Sequence, residues 1–109
     1  MKYISYGREY DVRFKINHYA SNNSIYVGMD YYDSECNSWL PFANITTNIG
    51  TVFHDYNYVD TNNLPEIDKW LEENNFAKCT GLSIPSGFYE YPLMKFNLEA
   101  IENSMKESV

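Results

Sequence analysis

The sequence predicts an α+β fold in a single domain, residues 1–109, with an antiparallel sheet of about four or five strands packed against one short central helix and a second helix at the C-terminus. Three observations predict it. Residues 8–19, REYDVRFKINHY, alternate apolar and polar side chains with the period of a strand. Residues 59–76, VDTNNLPEIDKWLEENNF, read as a strand end, a capped helix and a helix stop. Asn97 opens a last stretch that places Leu98, Ile101 and Met105 on one helical stripe. Strands that come first and are then joined to helices give an α+β order rather than alternating βαβ units.

Taken in order, residues 1–6 suit a short leading strand. In residues 8–19, Tyr10, Val12, Phe14, Ile16 and His18 share one phase, which makes His18 a core histidine. Residues 20–24, ASNNS, are turn chemistry, because Asn tolerates positive φ. Ile25, Val27, Met29 and Tyr31 then alternate with Tyr26, Gly28, Asp30 and Tyr32, so the two runs should pair as a hairpin. Residues 33–38, DSECNS, form a polar loop, and residues 39–48, WLPFANITTN, read as a third strand. Pro41 lacks a donor, so that strand should begin at an edge or with a bulge. Residues 52–60 suit a fourth strand or an extended segment after Gly50.

In the central helix, Asn63 and Glu66 have capping-box spacing, and Pro65 falls in the first turn. Ile67, Trp70 and Leu71 make its apolar face, with Trp70 as the anchor. At roughly 10 residues, such a helix needs a surface to lie on. A left-handed Asn75 would make Leu71 and Phe76 the hydrophobic pair of a Schellman motif. Residues 77–87 read as irregular, punctuated by Gly81, Pro85 and Gly87. Residues 88–96 look extended, with Pro92 marking an edge or an interruption, and the last helix should fray after Met105.

Composition narrows the function classes. Aromatics make up 17% of the chain, with 11 tyrosines, which is too aromatic for disorder even at a mean hydropathy of −0.51. No apolar run approaches 18 residues and no signal peptide opens the chain, so a cytoplasmic protein is expected. In that compartment Cys36 and Cys79 read as free thiols, and the Asn-X-Ser/Thr matches at Asn22 and Asn44 are irrelevant. The net charge is −7, and residues 16–68 hold seven acids and no Lys or Arg. Direct nucleic-acid binding calls for a basic stripe, and membrane surfaces attract basic segments, so neither is expected as a partner. An acidic surface draws basic protein surfaces instead.

No motif carries catalysis. Cys36, Cys79, His18 and His54 lack the spacing of a zinc site, and nothing in sequence joins a thiol to an imidazole. The pairs Asp30/Asp33 and Asp33/Glu35 read as a solvated acidic loop rather than acid–base or cation chemistry. Thr80-Gly81 and Ser86-Gly87 are not phosphate loops, since no Lys or helix start follows at the right spacing. The reading is therefore a non-enzyme with no cofactor, no catalytic residue and no metal.

Residues 40–48 (LPFANITTN), 59–63 with Pro65, 71–74 (LEEN), 80–81, 86–88 and 91–98 (YPLMKFNL) together resemble the blocks of a family of small proteins of unknown function. That family is carried by conjugative elements, phages and plasmids of Firmicutes and their gut relatives. The resemblance spans about residues 40–98, and its joint spacing is more specific than any single block. Members commonly have Asn before the proline and Gly after LEEN, where this chain has Leu64 and Asn75, two positions near helix ends. The resemblance implies no activity or cofactor. It implies a mobile-element setting, in which small acidic proteins often counter host defence.

The first expectation is an acidic anti-defence inhibitor, anti-CRISPR or anti-restriction, that occludes the basic nucleic-acid-binding surface of a host defence protein. Its contact residues would be Asp30, Asp33, Glu35, Asp55 and Asp60, with Tyr26 and Tyr32 stacking on guanidinium groups. The other is a generic interaction module, including a homodimer through an edge strand, with no nucleic-acid-related target. A small enzyme or metal protein ranks last.

Overall fold

The structure is a computed structural model and describes residues 1–50 and 52–107. The first sheet is an antiparallel meander of β1 (Lys2–Ser5), β2 (Arg8–His18), β3 (Ile25–Asp33) and β4 (Ser38–Asn44), in that spatial order. The period-two run of β2 has its reason here: Val12 and Phe14 are buried, while Arg13 and Lys15 reach the outer face. β3 pairs with it from Val12↔Tyr31 to His18↔Ile25, through a turn in which Asn23 adopts φ 58°. His18, expected in the core, is exposed. β2 outruns the elements that cover it, so burial fades from Phe14 through Ile16 to His18.

The expected third strand divides. β4 is an edge strand with a bulge that slips the register between Ala43 and Pro41, as Pro41 foretold. The chain then turns inward at Ile45, which is fully buried, and starts a second sheet with β5 (Thr46–Thr47). That sheet continues with β6 (Tyr56–Val59), β7 (Ala77–Ser86) and β8 (Tyr89–Phe96), in the order β5-β6-β8-β7. The fold class is as predicted, α+β with antiparallel strands and two helices, but the strands form two sheets of four. β6 starts only at Tyr56. Residues 77–87, read as irregular, are mostly strand. Gly81, at φ 86°, belongs to a bulge between Cys79 and Ser83, so its punctuation marks a register shift and not a strand end. Gly87, at φ 64°, opens the tight turn into β8, and Pro92 lies where β8 has outrun β6 and pairs with β7 alone.

The sheets are joined where β4 leaves β3. Beyond Gly28↔Asn44 the edge of β3 has no strand beside it. Ile45 N–H donates to Val27 O at 2.9 Å, Val27 N–H donates to Thr46 Oγ1 at 3.1 Å, and Asn57 Nδ2 donates to Ile25 O at 2.7 Å. Every one of these backbone groups would otherwise be buried and unpaired.

α1 (Ile67–Glu73) is shorter than the sequence suggested, and the expected capping box is absent. Asp60 captures Asn63 through both its backbone N–H (3.1 Å) and its Nδ2 (2.8 Å). Glu66 becomes the N-cap in the left-handed region, φ 66°, and Pro65 precedes the helix. The C-terminus behaves as predicted: Asn75 is left-handed at φ 61°, Phe76 N–H reaches Leu71 O at 2.9 Å, and Asn75 N–H reaches Glu72 O at 3.1 Å. Trp70 anchors the helix on the first sheet, against Tyr3 and Phe14, and its Nε1 donates to Lys2 O. α2 (Leu98–Glu107) is capped by Asn97 Oδ1 on Ala100 N–H and runs past Met105; Ser108 and Val109 lie outside the described residues. Both sheets and both helices share one core, with Phe14, Val27 and Met29 packed into the same cluster as Leu71, Met94, Phe96 and Ile101. No helix among the described residues is long and apolar enough to cross a membrane.

Two stability predictions follow from these joints. Asn57→Ala leaves Ile25 O buried without a donor and should lower unfolding free energy by about 1–3 kcal/mol in urea titration; a loss below about 0.5 kcal/mol would deny the joint its weight. Glu66→Gly removes the left-handed strain and should raise stability by about 0.5–1 kcal/mol, the strain relief being partly offset by the entropy of glycine in the unfolded chain.

Candidate functional site

The predicted contact residues separate into three places. Tyr26, Asp30 and Tyr32 lie on the outer face of the first sheet, where the chain satisfies them itself. Asp30 is largely covered and meets Lys15 Nζ at 3.0 Å and Arg13 Nε at 3.5 Å, across the strand pairs that bring β2's outward cations beside it. Arg13 stacks over Trp39 at 4.6 Å, and Trp39 meets Tyr32 edge-on at 5.5 Å. Tyr32 OH donates to Asn37, and Tyr26 OH donates to Asn44 Oδ1 at 2.6 Å. Tyr26 also lies over Gly28, where any Cβ would collide with its phenol. Asp30 thus offers no free carboxylate.

Asp33 and Glu35 sit in the β3–β4 turn, where Asp33 Oδ1 accepts the Glu35 N–H at 2.9 Å. The structure brings two unpredicted acids to them. Glu9 and Asp11, with Arg8 and Tyr32, line the same cleft of about 240 Å³. Asp55 and Asp60 are elsewhere. Asp60 is held by Asn63, and Asp55 stands in a cleft with His54, Lys78 and Lys95. Asn57, two residues from Asp55, bonds the Ile25 end of β3, and Asp33 lies at the opposite end, roughly 26 Å along the strand. The seven residues therefore do not form one patch.

The thiols and imidazoles make no reactive pair. Cys36 is exposed in the β3–β4 turn and Cys79 is half-buried in β7, both free. Burial, and then the Glu72 carboxylate that accepts its backbone N–H, push the Cys79 thiol up to about 11, so it stays protonated at neutral pH. His18 and His54 meet edge-on at 6.3 Å. Among the described residues no group of three or more His, Cys, Asp or Glu could hold a metal ion.

The surface that sequence reasoning missed is the outer face of the second sheet. Its existence depends on β7, which was read as irregular. Tyr56, Lys95 and Lys78 stand in one row across β6, β8 and β7. Below that row, Tyr58, Leu93 and Leu82 combine with Val52, Phe53 and Tyr56 to line an apolar groove of about 640 Å³. Phe53 is 81% exposed and Leu82 65% exposed. Beyond Leu93 the sheet narrows to a two-stranded ribbon, from the Ser83↔Pro92 pair to Ser86↔Tyr89, and Phe88 stands fully exposed at its tip. Alternation along residues 88–96 was a signal for β8; nothing local announced its partners.

Residues 13–109 match the family described as Domain of unknown function (DUF4313). The chain belongs to that family. The match covers the second sheet, both helices and the first sheet from Arg13 onward, leaving β1 and the start of β2 outside it. Searches of curated proteins and of solved structures find no match to this DUF4313 member.

The raised Cys79 thiol gives a direct test. In a Cys36→Ser background, the alkylation rate of folded protein should climb about tenfold per pH unit, with its midpoint near 11. Glu72→Gln removes a charge that opposes the thiolate and should move that midpoint down. By the same sign, stability should fall as pH rises from the ordinary thiol value of 9.0 toward about 11, because the unfolded chain ionises first.

Proposed function

We propose that this DUF4313 protein is a non-enzymatic binding module that meets a protein partner through the outer face of its second sheet. The observation that carries the reading is the apolar groove with its exposed rim, Phe53 and Leu82. Scattered surface apolar residues are ordinary, but large side chains gathered around a concave, apolar floor mark a contact site. Tyr56 and Tyr58 add broad rings with few rotatable bonds, which suits an interface anchor.

A second reading is favoured by the acidic cleft at the far end of the first sheet. Glu9, Asp33 and Glu35 gather there beside Tyr32. In the mobile-element setting that the family resemblance implies, that end would grip a guanidinium-rich surface and occlude the nucleic-acid channel of a host defence protein. The seven-residue patch first expected narrows to Tyr32, Asp33 and Glu35, joined by Glu9, because Asp30 is neutralised and Asp55 and Asp60 lie elsewhere.

One capture experiment separates the two. Tagged protein is incubated with lysate of a Firmicutes host at about 50 mM and about 500 mM salt, alongside a Phe53→Asp/Leu82→Asp variant and a Glu9→Gln/Asp33→Asn/Glu35→Gln variant. Urea midpoints first establish that both variants fold. Loss of partner in the groove variant alone, at either salt, is the expected result. Loss in the acid variant alone, with release at high salt, moves the function to the acidic cleft. Retention by both variants overturns both readings.

A further inference from the structure

The groove and the ribbon belong to one molecule, and their chemistry is complementary. We propose that the partner of this face is a second copy of the chain, in a two-fold dimer in which each ribbon crosses the other's second sheet, Phe88 fills the other's groove, and Glu90 meets the other's Lys95. This rests on the reading that the face is a protein-contact surface and names its occupant.

Three observations lead there. The first is shape. The groove is a hole of about 640 Å³ lined by Phe53, Tyr56, Tyr58, Leu82 and Leu93, and Phe88 is a fully exposed knob on a projecting ribbon. A knob and a hole on different parts of one surface permit self-association, and a two-fold axis closes the contact when both knob–hole pairs form at once. The ribbon is also oriented: Tyr89 OH donates to Thr61 O at 3.2 Å, and the Tyr89 ring meets Tyr91 at 5.3 Å and a tilt of 49°, which fixes the strand beside the tip. A two-stranded ribbon alone in water is marginally stable, so a surface to lie on stabilises it.

The second is charge. Lys78 and Lys95 are paired directly opposite each other on β7 and β8, where like charges destabilise a sheet. Asp55 shares their cleft, yet among the described residues neither has a carboxylate within 4.0 Å, in a chain of net charge −7. Lys95 Nζ lies 5.9 Å from the Tyr56 ring, at the rim of the groove. Glu90 lies two residues past Phe88, at most about 7 Å along the chain, with its Oε1 accepting from Ser83 Oγ at 2.6 Å. A Phe88 seated against Tyr56 therefore carries Glu90 to Lys95.

The third is repulsion. Two copies of charge −7 approach only through a face that is not acidic. Among the described residues the groove lining holds no carboxylate, and Lys95 stands beside its Tyr56, whereas α1, α2 and the β3–β4 turn carry Glu and Asp outward.

Sedimentation velocity over about 1–200 µM tests it on the full chain. A concentration-dependent monomer–dimer equilibrium is expected. Phe88→Ala, at an exposed turn position where the urea midpoint should not move, weakens it about tenfold or more. Lys95→Glu and Glu90→Lys each weaken it, and the double charge swap recovers most of the loss, an outcome that a general charge effect does not produce. A wild type that stays monomeric throughout, a Phe88→Ala variant that dimerises unchanged, or a double swap that recovers nothing overturns the inference. Growth past the dimer into longer species overturns its two-fold form. A monomeric wild type whose lysate capture still depends on Phe53 and Leu82 overturns the second copy alone and leaves the protein-contact reading standing.

Discussion

The structure depends on how the open edge of β3 is closed. At Gly28 the fourth strand stops pairing, and three backbone groups of Ile25 and Val27 face a buried space with no ladder to join. A buried, unpaired amide or carbonyl costs free energy comparable to a lost hydrogen bond. The chain meets that demand from three sources: the Ile45 amide, the Thr46 hydroxyl and the Asn57 carboxamide. Tyr19 OH then braces Thr46 through its carbonyl and hydroxyl oxygens. Because Thr46 starts β5 and Asn57 sits in β6, the same contacts that satisfy β3 fix where the second sheet begins. A polar residue with no solvent exposure, Asn57, is thereby the hinge pin of an otherwise apolar core.

That joint leaves each sheet with an outer face, and the two faces are finished differently. On the first, side chains close on one another: Lys15 and Arg13 on Asp30, Arg13 on Trp39, Trp39 on Tyr32, Tyr26 on Asn44. Each contact is individually modest at a partly exposed site. Together they spend the donors, acceptors and ring faces that a partner would need. On the second sheet and its ribbon, Phe53, Leu82 and Phe88 remain largely exposed, and Lys78 and Lys95 have no carboxylate within 4.0 Å among the described residues. A face whose side chains close on one another and a face whose apolar side chains stay open are different kinds of surface.

What the sequence revealed, and what it hid, divides along the range of the interaction involved. The β2–β3 hairpin, the Leu71–Phe76 helix stop and the Asn97 cap were legible because each is set by residues within a few positions of one another. The break at Ile45 was not, because its cause is a partner 32 residues away from Ile25, the Asn57 side chain. Glu66 in the left-handed region was hidden for a related reason: a capping-box pattern existed, but Asp60 took Asn63 first. β7 was misread because Gly81 and Pro85 punctuate both loops and bulged strands, and only pairing with β8 decides between them. The acids were legible as charges and not as a surface. Their positions in space follow from strand ends and turns, so Asp33 and Asp60 serve local turn geometry, and Asp30 serves a cross-strand ion pair.

A sequence that specifies its fold well has few local conflicts, and those it keeps carry information. Glu66 breaks a backbone rule, yet its compensation lies inside the chain. The left-handed step lets Leu64 and Ile67 both reach the core, and Glu66 O accepts the first helical bond from Trp70. Lys78 and Lys95 break an electrostatic rule by standing side by side on neighbouring strands; Asp55 shares their cleft, but no carboxylate among the described residues comes within 4.0 Å of either. Moving either lysine one residue along its strand would put it in the core, so their facing is imposed by the pleat, but their being lysines is not. Two cations held side by side near an open apolar groove, in a chain of net charge −7, leave room on that rim for an anion beyond the one that Asp55 brings to their cleft.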